Sequence, residues 1–283
     1  MTLALTAETA AHSFDLALDP ASVLDVRDAI FHGVNLAPGA AVPSDGDPRI
    51  DRALPGFLFT CGPDHIRHPE PVEHAEGRRY PLHGSISSHP AMDILIEEDE
   101  GEAVCSARVP VQLANGETAE LLRTWRADRK SGRVTLDDAV SNTGGRPWPP
   151  VAMYHININT RLFDDATRLT GAMLEGGSLP WRFADGDMSI FCVPAFETAR
   201  HGWAEIAIGP IAPLGGRSLV IRFRVDTLPY LQVWRNQSPG CHVMGIEPVT
   251  HRLAGRAELI ATGEMRPFEP GQSVGYGLAI ALR

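Results

Sequence analysis

Three short stretches of the chain hold residues suited to proton chemistry. In YPLHGSISSHP, residues 80–90, His83 sits beside a glycine in a turn, where a buried packing residue would be out of place. In PWPPVAMYHININT, residues 147–160, His155 lies within a run that alternates apolar and polar side chains. In CHVMGIEP, residues 241–248, Glu247 ends a strand-like run and is followed by proline. A histidine can serve as an acid and a glutamate as a base, so the two types together can move protons on a bound molecule. Each residue also has a plain reading. An isolated Glu is usually a solvated strand-end charge, and alternation around His155 is what any half-exposed antiparallel strand shows.

The elements that must position these residues are strands. Two-residue alternation recurs in AELLRTWRAD, GRVTLDDAVSN, VAMYHININTRL and RSLVIRFRVD, while KSGR, NTGGRPWPP, EGGSLP, LGGR and QSPG have the chemistry of turns. Side chains 155, 157 and 159 then share one sheet face, His with two Asn, and Tyr154, Ile156 and Ile158 share the other. Only residues 19–30, DPASVLDVRDAI, have a briefly helical spacing, with strand and turn as the alternative. No repeat and no composition break divides the chain, which reads as one mostly β, antiparallel domain over residues 1–283. With 43% apolar residues it can bury a large core, and its 27 Gly and 23 Pro are scattered as turn punctuation.

Composition narrows the partners. A formal net charge of −10 works against nucleic acid, whose phosphates are held by Lys and Arg. No apolar run is long enough for a membrane helix, and the first residues lack the basic and apolar regions of a secretory signal, so a cytoplasmic location is expected. Cys61, Cys105, Cys192 and Cys241 are far apart and form no CxxC pair, which suggests neither a disulfide framework nor a thiolate metal site.

In chain order, PLHG at 81–84, SNTGGRPWPPVAMYHIN at 141–157 and VMGIEP at 243–248 resemble the aldose 1-epimerase family of the galactose mutarotase-like superfamily. YLQVWRN ahead of GIEPVTH is closer to a bacterial branch of that family than to the galactose enzymes. The resemblance implies a large antiparallel β-sandwich with a concave face for one monosaccharide. It implies Glu247 as the base at the anomeric hydroxyl, His155 as the acid at the ring oxygen and His83 as a binding residue, with no cofactor and no metal. Activity should then fall at low pH as Glu247 protonates. Arg67 is the candidate for the family's substrate-binding arginine, in competition with Arg78 and Arg79. Asn157, Gln232, Trp234 and Asp226 are further binding candidates, Trp234 by stacking on a sugar face, and Arg235 belongs to the same patch. The chain departs from the family after Leu-His-Gly, where Ser85–His89 replace the usual residues, and around His155, so the sugar-facing contacts differ.

Two readings from other classes compete. His65, His68, Glu70, Glu73 and His74 have the residue types of a metal site in a cupin-type isomerase, although the prolines of RHPEPVEH fit an exposed loop better. The same sandwich could also serve as a non-catalytic carbohydrate-binding or sensing domain. The sequence leaves the sugar and the oligomeric state open.

Overall fold

Strands that alternate along their length need a partner on each side and an apolar layer beneath. The computed structural model, which describes residues 2–8, 13–44, 46–73 and 75–283, supplies both in two nine-stranded sheets with antiparallel pairing throughout. In chain order the strands are β1 Leu3–Glu8, β2 Ser13–Asp19, β3 Asp25–Phe31, β4 Val34–Asn35, β5 Leu58–Cys61, β6 Met92–Glu98, β7 Glu102–Gln112, β8 Thr118–Asp128, β9 Arg133–Asn142 and β10 Met153–Asn159. They continue with β11 Arg168–Thr170, β12 Ser178–Pro180, β13 Met188–Pro194, β14 Trp203–Ile211, β15 Arg217–Arg224, β16 Tyr230–Asn236, β17 Val243–Val249 and β18 Ser273–Leu282. Two short helices are α1, Pro48–Ala53, and α2, Arg256–Ala261. The first sheet runs β1-β2-β3-β5-β10-β17-β16-β13, with β4 beside β3, and the second runs β12-β11-β14-β15-β18-β9-β8-β7-β6. The antiparallel strands are those expected from the alternation, and the sandwich is the one the family resemblance implies.

Between the sheets lies the main core, which includes Phe57, Trp125, Tyr154, Ile156, Phe223 and Ile246. A second, smaller apolar cluster covers the outer face of the first sheet, where Phe59, Met153 and Val249 meet Ile50 of α1, Leu259 of α2 and Leu82 of the long connection between β5 and β6. The first sheet is therefore covered on both faces over its middle strands. Every residue of β17 is buried, and β10 is buried through Ile158.

A charged group sits in the main core. Arg123 follows Leu121 on the inner face of β8 and is fully buried. Its guanidinium donates to both carboxylate oxygens of Asp138 on β9, at 2.9 and 2.7 Å, and crosses to the first sheet to reach Asp25 Oδ1 at 2.9 Å and Thr60 Oγ1 at 2.7 Å. Tyr154 donates its hydroxyl to Asp138 Oδ2 at 2.6 Å. Thr60 and Tyr154 face each other across β5 and β10, so this network fixes, from behind, the two strands that carry Phe59 and His155. Burial raises the Asp25 carboxyl to about 6 despite the guanidinium beside it.

One local expectation changes. Residues 19–30 are not helical: Val23 and Leu24 have φ of 46° and 57°, which ends any right-handed turn, and the chain goes from β2 through a turn into β3. The helices lie elsewhere. At α1, Asp47 accepts a bond from the Arg49 amide as N-cap and Pro48 takes the first turn, a start signal carried by DPRID.

The Arg123 network yields a stability test. Arg123→Met leaves Asp25 and Asp138 buried without their cation, and should cost about 3–5 kcal/mol in urea unfolding. A loss below about 1 kcal/mol would show that the network contributes little, since the median worth of an exposed pair is no larger than that.

Candidate active site

Strand register builds the site before any side chain is considered. Phe59 pairs with His155, Gln232 with Glu247 and Cys192 with Gln232, while the Ile156–Ile246 pair sets His155 alongside Glu247. Directly opposed residues project to the same face. One row of side chains thus crosses β5, β10, β17, β16 and β13 on the outer face of the first sheet, facing the smaller apolar cluster. Within it, His155 Nε2 lies 3.1 Å from Glu247 Oε1, with the two side chains 6% and 1% exposed.

Rings enclose this contact. Phe59 stacks on the His155 imidazole at 4.8 Å between centroids, while Trp234 and His83 meet it edge-on at 5.6 and 5.9 Å. Gly245, two residues before Glu247 on β17, is opposite Trp234. A Cβ there would overlap Glu247 Oε1 and His155 Cε1, so the glycine leaves the volume that the pair occupies.

The hydrogen-bond polarity of the row follows from one donor-only residue. Arg67 donates from Nη1 to Gln232 Oε1 at 3.1 Å and from Nη2 to the Arg252 carbonyl at 2.9 Å. Because guanidinium cannot accept, the Gln232 carbonyl oxygen must face it, and the Gln232 amide nitrogen then donates to Glu247 Oε2. Oε2 thus accepts from Gln232, while Oε1 meets no hydrogen-bond partner among the described residues and lies 3.1 Å from His155 Nε2, so it is the oxygen left to carry a proton. Burial is the main influence on both groups. It raises Glu247 to about 8, against weaker lowering by Gln232 and Arg67, and it lowers His155 to about 3. Between those limits the two groups hold one proton, carried by Glu247 beside the neutral His155 ring 3.1 Å away.

His83 is placed by its turn. Its backbone has φ of 57°, its amide donates to the Arg67 carbonyl at 2.9 Å, and its Nδ1 donates to the Ile66 carbonyl at 3.2 Å, which leaves Nε2 as the acceptor. Burial lowers its pKa to about 4, so the ring is neutral at pH 7. Gly84 follows at φ of 84°, and a Cβ there would strike the carbonyls of His65 and Gly62. Arg49 of α1 donates to the Gly84 and Leu82 carbonyls and ties the turn to the helix.

The structure brings His155, Glu247, His83, Gln232, Trp234 and Arg67 together with Asn157, and it sets the remaining candidates apart. Asn157 projects to the same face as His155, where its side chain favours the charged form of that ring, and its amide nitrogen donates to the carbonyls of Leu54 and Gly56, which anchors the chain entering β5. Asp226 lies after β15 of the second sheet, exposed and paired with Arg224, so it is not part of the cluster. Arg235 projects to the other side of β16, where it donates to the carbonyls of Phe183 and Gly186. Arg79 donates to the Pro69 carbonyl and Arg78 is exposed. Of the histidine-rich stretch, His65 bonds the His68 carbonyl and stacks on Tyr80, and Glu73 is held by Arg256 and Tyr80. His74 lies outside the described residues, among which no three His, Cys, Asp or Glu side chains are grouped as metal ligands.

Several contributors carried no sequence signal. Phe59, Gly245 and Arg49 matter through His155, His155 and Gly84, 96, 90 and 35 positions away, which only strand pairing and loop packing bring near. Arg67 also lines an open groove of about 350 Å3 with His68, Glu70 and Leu253, beside the row. Among the described residues no helix is long and apolar enough to cross a membrane.

Residues 20–175 and 187–282 match a family described as a domain of unknown function, DUF4432. The chain belongs to the DUF4432 family. No curated protein matches this DUF4432 chain in sequence. Solved structures do match it in fold. A protein of Klebsiella pneumoniae provisionally described as an aldose 1-epimerase superposes with a TM-score of 0.76 at 18% identity, covering 95% of this chain and 76% of its own. A protein of Synechocystis sp. PCC 6803 gives 0.70 at 14% identity over 100% and 95% of the two chains, and a galactose mutarotase-like protein of Lactobacillus casei gives 0.66 at 14% over 99% and 100%. The DUF4432 chain therefore has the galactose mutarotase-like sandwich fold.

The protonation reading can be checked without a substrate. The infrared difference between wild type and Glu247→Gln should show a protonated carboxyl stretch at pH 7 that disappears as pH rises past about 8. A carboxylate signal from Glu247 already present at pH 6 would contradict it.

Proposed function

We propose that this chain is an aldose 1-epimerase-like enzyme that interconverts the anomers of a free aldose by acid–base ring opening. The observation that carries the reading is the contact between His155 Nε2 and Glu247 Oε1 at 3.1 Å, in a row where Gln232, itself held by Arg67, occupies the other oxygen of Glu247. The fold supports it by likeness to proteins described as aldose 1-epimerases and galactose mutarotase-like proteins.

In a cyclic hemiacetal the anomeric hydroxyl and the ring oxygen share one carbon, so the groups serving them must also be neighbours. Passing the proton from Glu247 to His155 gives a carboxylate and an imidazolium. The carboxylate then takes the anomeric hydroxyl proton, the bond from C1 to the ring oxygen breaks as a carbonyl forms at C1, and the imidazolium delivers its proton to the ring oxygen. Rotation about C1–C2 and the reverse steps close the other anomer. The proton count is conserved, and no electron acceptor is needed. His83, with Nε2 as acceptor, and the Trp234 ring would hold the sugar, and the groove beside Arg67 would take the part of it that projects from the row. Arg67 and Gln232 act on Glu247 through their hydrogen bonds. The four free cysteines fit a reducing, cytoplasmic setting for this reaction.

Because Glu247 holds its proton up to about 8, the acid limb expected of an ordinary carboxylate gives way to an alkaline one. The pair loses its only proton as pH rises through that value.

Two substitutions and one chelation test the proposal. With NMR exchange measurements on a panel of free aldoses, Glu247→Gln and His155→Asn should each slow anomer interconversion by about 10²-fold or more, with sugar affinity little changed. Exhaustive chelation should leave the wild-type rate as it was. Full turnover in folded Glu247→Gln protein would rule out Glu247 as the base, and sugar binding with no turnover in wild type would favour a binding module over an enzyme.

A further inference from the structure

The two sheets end in strands that differ in how they meet solvent. β6, at one edge of the second sheet, exposes Met92, Ile94, Leu95 and Ile96, but it is protected in the usual ways: Asp93 sits at φ of 52° in a register shift, and Glu97 and Glu98 follow. β13, at one edge of the first sheet, has neither a charge nor a register shift, and its one proline, Pro194, takes the last position of the strand. Of its seven residues, MSIFCVP, Met188 and Ile190 are 63% and 45% exposed.

Its free backbone groups can be assigned. Ala195 N donates to Pro229 O and Gln237 N to Asp187 O, so the odd-numbered residues of this stretch bond toward β16. In an antiparallel ladder alternate residues bond to alternate sides. Met188, Ile190 and Cys192 therefore direct N–H and C=O away from β16, and among the described residues no other backbone group meets them. An uncharged, regular, apolar strand with an unmet row of donors and acceptors is what a sheet-extending partner requires.

We propose that β13 is the interface of a homodimer, in which it pairs antiparallel with β13 of a second copy to make one continuous sheet. The occupant follows from self-complementarity. A two-fold axis at Phe191 sets Ile190 opposite Cys192 of the second copy, Ser189 opposite its Val193 and Met188 opposite its Pro194, with no charge facing a charge. The same operation on β6 about Leu95 would set Asp93 against Glu97, a like-charge pair. The joined sheet keeps both outer faces on one side. Ile190 is directly opposite Trp234 on that face, so the seam runs along the Trp234 rim of each site. Phe196, 47% exposed just beyond the strand, adds apolar surface at the same edge.

The proposal is independent of the reaction, and its test reads mass instead of activity. Sedimentation equilibrium of the full chain should give twice 30.6 kDa. Met188→Lys combined with Ile190→Lys should weaken the dimer by at least ~30-fold, the size of one hot-spot contact, with an unchanged circular dichroism spectrum. Ile94→Lys combined with Ile96→Lys should leave it intact. Should the β13 variant fail to fold, hydrogen exchange on wild type answers instead: amides of Ile190 and Cys192 should be protected, more so as protein concentration rises. A monomeric wild type at ~100 μM, far above a typical specific-complex Kd, would overturn the proposal. So would a dimer abolished by the β6 substitutions, or one with freely exchanging Ile190 and Cys192 amides.

Discussion

A carboxyl group and an imidazole are held 3.1 Å apart and nearly closed to water, where neither readily carries a charge. Burial penalises the charged form of each, raising Glu247 to about 8 and lowering His155 to about 3, so together they keep one proton across the neutral range. The surrounding groups preserve that arrangement. Arg67, able only to donate, fixes the Gln232 amide, and Gln232 fixes one oxygen of Glu247 as an acceptor. Gly245 leaves the space and Phe59 holds the plane of the ring. What remains adjustable is the position of a single proton.

The sandwich makes this possible by burying the middle of one sheet twice. Its inner face carries the main core and the Arg123 network, which locks Thr60 and Tyr154, the cross-strand neighbours of Phe59 and His155. Its outer face is covered by α1, α2 and the β5–β6 connection. Arg256 holds that cover together, donating to Glu73, the Asp64 carbonyl and the Tyr80 hydroxyl, with its guanidinium over the Tyr80 ring. In such a low-dielectric setting a fixed dipole or proton acts more strongly than it would in water.

How much of this could be read from the sequence depends on the range of the interaction. Alternation is local, so the strands and the split of residues 154–159 into two faces were legible, with Tyr154, Ile156 and Ile158 in the inter-sheet core. Burial of the second face was not. Asn157 looks like a polar surface residue, yet the Leu54 and Gly56 carbonyls, about a hundred positions away, consume its amide. Arg123, between Leu122 and Thr124 in a strand, gives no sign that its carboxylate partners are 98 and 15 residues off. Asp226 was drawn in by its family position and excluded by its place on the second sheet beside Arg224. The order of PLHG, His155 and Glu247 along the chain signalled the fold, but their mutual geometry required the register of five strands.

The central proposal is that the proton Glu247 carries beside His155 governs anomer interconversion, and the pH profile of kcat/KM for that reaction tests it most directly. The account predicts a rate that is flat through neutral and mildly acidic pH and falls about tenfold per unit above about 8, with that limb absent in the residual activity of Glu247→Gln. A wild-type rate that instead declines on acidification through 4.5, the ordinary carboxyl value, and stays level past pH 9 would contradict it.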